Sequence, residues 1–187
     1  MAAGRTVTED EMTLPLTTAP DTTDRAAFAE AMSRLAAGVS VVTCSRDGRP
    51  WGTTVTAVAS ISAEPPTVLV SLGSSASSAD AIAAAGRFGL SILEQGQQIV
   101  ARHCSRPGTP KFLEPFTREP QSGSPMIAGA LAHLDCELVE QFEVADHTVF
   151  VGRVREARPA RSGTPLLYFR RDYRRLAGPH IPRGVRP

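Results

Sequence analysis

Lysine is nearly absent: of 20 basic residues set against 19 acidic ones, only Lys111 is a lysine. That bias toward arginine and alanine reflects codon usage more than function. With a formal net charge of +1, no strong field favours nucleic acid or an acidic membrane surface. No apolar run approaches the roughly 20 residues of a membrane span, and the first residues lack the charged-then-apolar pattern of a signal peptide. Cysteine is scarce too. Cys44, Cys104 and Cys136 are odd in number and widely spaced, with no CxxC. They read as reduced, mostly buried thiols of a cytoplasmic protein, not as disulfides or a zinc site. There is no GxGxxG, no P-loop GK[ST] and no GxSxG elbow. No two of the four histidines lie at helical ligand spacing, which argues against a metal.

What remains is an ordinary globular composition, 187 residues with 42% hydrophobic and 21% charged, enough for one domain with a sizeable core. Residues 1–23 have no apolar period and read as a disordered arm; 24–176 form the domain, and 177–187 a loose tail. The first helix is expected to start at Thr23 or Asp24, with Phe28, Ala31, Met32 and Leu35 on one face, and to stop at Gly38.

The stretch from Gly48 to Leu72 organises the rest. Asp47-Gly48 is a type I′ hairpin dipeptide, preceded by the β-branched run Val39 to Thr43. After it a long strand is expected, with Val55, Ala57 and Ala59 on one face and Thr54, Thr56, Val58 and Ser60 on the other. From Gly52 to Ser60 the side chains are small or hydroxylic. Such a surface suits a flat polar heterocycle lying against the sheet, and equally a strand packed closely on a neighbour. Glu64-Pro65-Pro66 forces a turn before the strand Thr67 to Leu72.

A strand that runs through Gly73, Ser74, Ser75, Ser77 and Ser78 into a helix start is a ready anion site. Ser77 and Asp80 approximate a capping box, and Gly86 ends the helix. Phe88, Leu90 and Ile92 alternate as a strand, and 97–104 reads as a short helix. From Ser105 to Pro125 no period holds, so this stretch, with Lys111-Phe112 in its middle, is a functional lid, an oligomer contact or a solvated loop. Residues 130–142 alternate again, with Ala132, Leu134, Cys136 and Leu138 inward and His133, Asp135 and Glu137 outward. His180 lies in the tail and His103 ends a helix, so neither suggests a site. Asp146-His147 differs, because it opens a strand directly after a turn, where barrel mouths carry functional groups. Strands at 147–154 and 165–169 follow. With no regular βαβ alternation, a largely antiparallel barrel is favoured over a doubly wound sheet.

From Phe28 to Leu176 the chain resembles the flavin reductase-like family, the short NAD(P)H:flavin oxidoreductases that feed two-component monooxygenases. The matching pieces run in order: LAAGVSVVTC (35–44), PWGTTVTAVASISAEPP (50–66), VLVSL with its serines (68–78), GRFGLSIL (86–93) and KF (111–112). AHLDCEL (132–138), ADHTVFVGRV (145–154) and PLLYFRRDYRRL (165–176) complete the set. The resemblance implies a mainly β split-barrel fold with a few short helices, and a homodimer with FMN or FAD at the subunit boundary. NADH or NADPH would be co-substrate, and a separate monooxygenase would receive the reduced flavin. It places Thr54, Val55, Thr56, Ala57 and Ser60 along the isoalloxazine, and Ser74, Ser75, Ser77 and Ser78 toward the flavin phosphate or ribityl chain. Lys111 and Phe112 join the cofactor-binding set, while His147, with Asp146 beside it, falls by the nicotinamide. Ala145 stands where the family usually has glycine, and Ser91 where it often has asparagine. A non-catalytic flavin- or haem-binding split barrel is the alternative. A pyridoxal-phosphate-related oxidase is weakened by the lack of clustered lysines near the serines.

Overall fold

The computed structural model describes residues 24–118 and 123–176; the expected arm, the tail and His180 lie outside the described residues. In chain order the elements are α1 (Arg25–Ser33), β1 (Ala37–Gly38), β2 (Ser40–Arg46), β3 (Arg49–Val55), β4 (Val58–Ala63) and β5 (Pro66–Gly73). Then come α2 (Ser77–Ala85), β6 (Arg87–Ile92), α3 (Gln98–Ser105), β7 (Thr117–Arg118), β8 (Met126–Ile127) and β9 (Ala132–Val144). The last are β10 (His147–Pro159), β11 (Leu166–Phe169) and β12 (Asp172–Arg175).

Seven strands form one antiparallel sheet in the order β3-β2-β6-β9-β10-β5-β4, and β1-β11-β12 form a second. The large sheet curls until β3 packs near β5, giving the split barrel expected. Its interior is filled by Val42, Val55, Val70, Leu72, Phe88, Leu90 and Phe150, with Ile82 of α2 stopping one end. Gly152 fits this curl because a Cβ there would lie 2.5 Å from the ring of Phe88. The β9–β10 register shifts at that position, so the sheet bends where an inward side chain has no room.

The Asp47-Gly48 turn forms as expected, with φ of 53° and 73°. A second hairpin has the same left-handed pair in a costlier form. Arg170 and Arg171, between β11 and β12, have φ of 50° and 61°, a region that costs a non-glycine residue about 1–2 kcal/mol.

Four expectations need correction. Asp24 caps α1 by accepting from the Ala26 N–H at 2.9 Å, but the helix ends at Ser33, and Gly38 belongs to β1. Its apolar stripe faces out, leaving Phe28, Met32 and Leu35 exposed. The long strand Gly52–Ser60 is in fact two strands at opposite edges of the sheet. The chain leaves β3 at Thr56, where the Val58 N–H donates to the Thr56 carbonyl at 3.1 Å, and re-enters as β4. The capping box does not form, because the N-cap is Ala76 and Ser77 is already the first helical residue.

His133 is buried, not exposed. Its strand face is covered by the segment before β8, which Thr43 Oγ1 anchors by donating to the Pro125 carbonyl at 2.6 Å. His133 Nδ1 lies 3.1 Å from Ser91 Oγ, which accepts from the Ile127 N–H at 3.2 Å. Its Nε2 has no partner among the described residues. Burial pushes the imidazole down to about 4, a fall that Asp135 opposes, Arg158 aids and Glu156 opposes. Below its ordinary 6.5 the unfolded chain takes up a proton that the folded one refuses, so stability falls as pH drops from 6.5 toward 4. At about 1.4 kcal/mol per unit, the loss is at most about 3 kcal/mol, less whatever residual hydration returns. Thermal unfolding should shift down by several degrees between pH 6.5 and about 5, above the carboxylate range. A His133→Asn variant should flatten that segment of the profile, and an equal slope in the variant would contradict the assignment.

Candidate functional site

Two neighbouring cavities flank β3. The larger, about 670 Å³, lies between β3, the start of α2 and the 105–112 segment, with Trp51, Thr53, Ser75, Ser77, Lys111 and Phe112 on its wall. The smaller, about 390 Å³, lies between the end of β3, α3 and the β11–β12 hairpin. Thr54, Val55 and Thr56 line it, and Ser105 belongs to both walls.

Residues 105–113 run as a strap along the β3 edge. The Gly52 N–H donates to the Lys111 carbonyl at 3.1 Å, and the Leu113 N–H to the Pro50 carbonyl at 2.9 Å. The strap thus covers an edge strand that would otherwise be open. It is fixed further by His103 Nε2 donating to the Phe112 carbonyl at 2.9 Å. Trp51 and Phe112 meet edge to face, centroids 4.9 Å apart, and the Arg49 guanidinium covers the other ring at 3.5 Å from the Phe112 centroid while pairing with Glu114. This gives the larger cavity a rigid aromatic corner. Lys111 sits beside it half-buried, and burial lowers its pKa. Burial also pushes the Cys104 thiol up to about 12 against the pull of Lys111, so Cys104 is neutral and leaves the lysine's charge uncancelled. Ala76 provides no side-chain cap to α2, and Ser75, Ala76 and Ser77 line the same cavity as Lys111. That donor set is suited to a phosphate.

The four expected serines therefore divide. Ser75 and Ser77 reach the larger cavity. Ser78 is fully buried, its Oγ 2.7 Å from Thr53 Oγ1, and ties α2 to β3. Ser74 Oγ lies 3.0 Å from Thr148 Oγ1, on the side away from that cavity. Ala57 and Ser60 are exposed and line neither cavity, although the Ala57 carbonyl accepts from the Ser71 N–H at 3.1 Å.

Ala145 takes a φ of 53° at the first turn position between β9 and β10, the backbone for which glycine is the unstrained residue. The turn is braced where the Ser74 N–H donates to the Asp146 carbonyl at 2.9 Å. His147 pairs with Gly73, a residue of the larger cavity's wall. Adjacent side chains on a strand point apart, yet Asp146 is still in the turn, and its Oδ1 lies 2.7 Å from His147 Nδ1. The hydrogen bond from His147 is the main cause that holds the Asp146 carboxyl below its ordinary range. With Nδ1 donating to Asp146, Nε2 of the neutral ring is the acceptor. The residues missed by sequence reasoning are Trp51, Thr53 and Arg46 in the larger cavity, and Arg102, Tyr168, Arg171 and Tyr173 in the smaller. No local spacing links them, because three separate elements bring the last four together.

Among the described residues no group of three or more His, Cys, Asp or Glu could hold a metal, and no helix is long and apolar enough to cross a membrane. Residues 32–177 match the family model described as "Flavin reductase like domain". The chain is 39% identical over 147 residues to the reductase component of 4-nitrophenol 4-monooxygenase/4-nitrocatechol 2-monooxygenase from Rhodococcus opacus, covering 79% of this chain and 78% of that protein. It is 36% identical over 157 residues to the reductase component of 4-hydroxyphenylacetate 3-monooxygenase from Thermus thermophilus, covering 82% and 97%. Among solved structures, the Streptomyces globisporus NADH:FAD oxidoreductase SgcE6 in complex with NAD and FAD fragments superposes with a TM-score of 0.75. The two are 32% identical, over 87% of this chain and 96% of that one.

Proposed function

The chain belongs to the flavin reductase like family, and from that premise we propose that it is an NAD(P)H-dependent flavin reductase. It reduces FMN or FAD with a nicotinamide cofactor, NADH being the one its relatives' names carry, and supplies reduced flavin to a separate monooxygenase. The observation that carries the reading is the phosphate-suited corner of Lys111, Ser75, Ser77 and the uncapped α2 start, set beside a His147 that has a free acceptor nitrogen.

Bound flavin supplies the hydride acceptor, so the protein's work is binding, orientation and exclusion of water. Lys111 and the two serines hold the phosphate end. The Thr54, Val55 and Thr56 segment and the Trp51–Phe112 corner limit where a flat ring can lie. Asp146 fixes the His147 ring, and His147 would hold the nicotinamide carboxamide. Ala57 and Ser60 are assigned to the ring's outer edge, where a second subunit would close over them. Ser74 and Ser78 support the turn and helix that carry Ser75 and Ser77.

A homodimer is part of this reading. Phe28 and Met32 on α1, Leu35 just beyond it, and Val139, Phe142 and Val144 on β9 are large apolar side chains left exposed and invite cover. Sedimentation at micromolar concentration should give twice the chain mass; a monomer that turns over flavin would reject the shared site. The three buried free thiols support a cytoplasmic location. The decisive assay is oxidation of NADH or NADPH with FMN or FAD added. Flavin binding without any oxidation by either nucleotide would make the chain a carrier and refute the reductase assignment.

A further inference from the structure

We propose that Arg49, which lies outside both cavities, is a positioning residue for flavin. Held on the Phe112 ring by Glu114, it fixes the aromatic wall of the larger cavity and so sets how fast flavin leaves; this rests on the reductase reading above. The Asp47-Gly48 hairpin pairs Arg46 with Arg49, and the two guanidiniums flank one aromatic stack. Arg46 lies 5.0 Å from the Trp51 centroid, Trp51 meets Phe112 edge to face at 4.9 Å, and Arg49 lies 3.5 Å from the Phe112 centroid. Arg46, Trp51 and Phe112 are on the cavity wall, whereas Arg49 is not. Its influence on the cavity therefore passes through the Phe112 ring. Glu114 Oε1 accepts from Arg49 Nε at 2.6 Å, which keeps the guanidinium from swinging off that ring.

The pair is a poor device for stability and a good one for placement. The two side chains are 52% and 43% exposed, and an ion pair so open to water adds little to the fold. The Phe112 backbone needs no help from it. Hydrogen bonds to β3 hold the residues on either side, and His103 holds the Phe112 carbonyl. Only the ring is left to be placed, and it stands between two unlike halves of the strap. Leu113, the next residue, is fully buried, so close to β3 that a Cβ on Gly52 would lie 2.8 Å from it. Residues 107–110, just before, are exposed and line the cavity. Thr109 Oγ1 donates to the Arg106 carbonyl at 3.3 Å, a bond within the strap that ties it to nothing else. With one half anchored and the other lightly held, the ring between them decides whether the opening widens. A reductase that hands its product to a separate enzyme has to release flavin at each turnover, and release steps of this kind commonly set rates.

Trp51 is the only tryptophan, so its emission reads this corner directly. In the flavin-free chain, Arg49→Gln should raise the quenching of Trp51 by acrylamide, because the Phe112 ring is no longer held. Riboflavin, which has no phosphate charge for salt to screen, is the probe for release. Stopped-flow dissociation of riboflavin should be about tenfold faster from Arg49→Gln, while reduction of bound flavin by NADH stays within about twofold of wild type. A role confined to the fold would instead lower the melting temperature and slow reduction as well. Arg49→Lys keeps the charge opposite Glu114 but not the plane over Phe112, so its release should stay fast. A return to the wild-type rate in that variant would overturn the stacking role. Glu114→Gln should also speed release, and high salt should speed it from wild type but not from Glu114→Gln. Equal dissociation from wild type and Arg49→Gln, or unchanged Trp51 quenching, overturns the proposal. So does a fall in melting temperature that matches the loss of flavin in both Arg49→Gln and Glu114→Gln. A chain that binds flavin but never oxidises NADH refutes only the reductase reading. One that oxidises NADH and releases riboflavin equally fast with and without Arg49 refutes only the role of Arg49.

Discussion

Replacing His147 by alanine should slow reduction of bound flavin by about 10²-fold, the cost of misplacing reacting atoms by about 1 Å, while flavin affinity hardly changes. His147 opens β10 directly after the turn, and its Nδ1 is 2.7 Å from Asp146 Oδ1. It touches the larger cavity only through its strand partner Gly73, so it borders the flavin phosphate corner without contributing to it. Its free Nε2 can hold a nicotinamide carboxamide, and losing that contact lets the dihydropyridine drift from the hydride acceptor. The apparent KM for NADH should rise along with the fall in rate. Because half of the imidazole is already in water, at 51% side-chain exposure, truncation should cost little stability. Asp146→Asn should give a smaller loss of the same kind, since the ring stays but its tautomer is no longer fixed. Stopped-flow reduction of pre-bound flavin and a flavin titration on the same variant separate the two quantities. Normal reduction with weakened flavin would place His147 in the flavin site instead.

The parts of the structure legible in the sequence are those fixed by local chemistry. Asp47-Gly48 forms its hairpin because only certain residues tolerate positive φ twice in succession. Gly86 ends α2 for the same reason, with a φ of 64°. Phe88 and Leu90, with Cys136 across the ladder, alternate inward as period-2 patterning requires. What failed to show was whatever depends on distant partners. The alternation of small residues from Gly52 to Ser60 runs unbroken through Thr56-Ala57, so nothing local marks the chain's passage from one sheet edge to the other. His133 looked solvent-facing because the covering segment at Ser124 and Pro125 lies in an aperiodic stretch. Its tethers, Thr43 to Pro125 and Ser124 N–H to Asp135 Oδ1, are side-chain bonds of long sequence separation. Burial alone would push Asp135 up, and the bonds from Ser124 and Arg87 outweigh it, holding the carboxyl below its ordinary range. The smaller cavity draws on β3, α3 and the last hairpin, and nothing local in Arg170-Arg171-Asp172-Tyr173 marks that Arg171 shares a cavity wall with Arg102.

Lys111→Ala should weaken FMN by about 1.5–3 kcal/mol, the usual worth of a hydrogen bond to a charged group, which is roughly tenfold to a hundredfold in Kd. Riboflavin, which lacks the phosphate, should bind as before. The lysine is half-buried, and burial already disfavours its charge, so removing it should not lower the thermal midpoint. The serines sharpen the test because the structure separates their jobs. Ser77 is not the cap of α2, so Ser77→Ala should spare the fold and weaken FMN alone. Ser78 is fully buried against Thr53 Oγ1 at 2.7 Å. Its replacement by alanine leaves the part-buried Thr53 hydroxyl short of a partner and opens a gap between α2 and β3, a cost of about 1 kcal/mol or more in stability, with FMN and riboflavin affected alike. Three variants and two flavins therefore give a pattern that no general loosening of the protein can imitate. If Lys111→Ala weakens riboflavin as much as FMN, the lysine lies under the ring and the phosphate corner is wrongly placed. If Ser77→Ala lowers the melting temperature as far as Ser78→Ala does, Ser77 contributes to the fold and its role at the phosphate has to be abandoned.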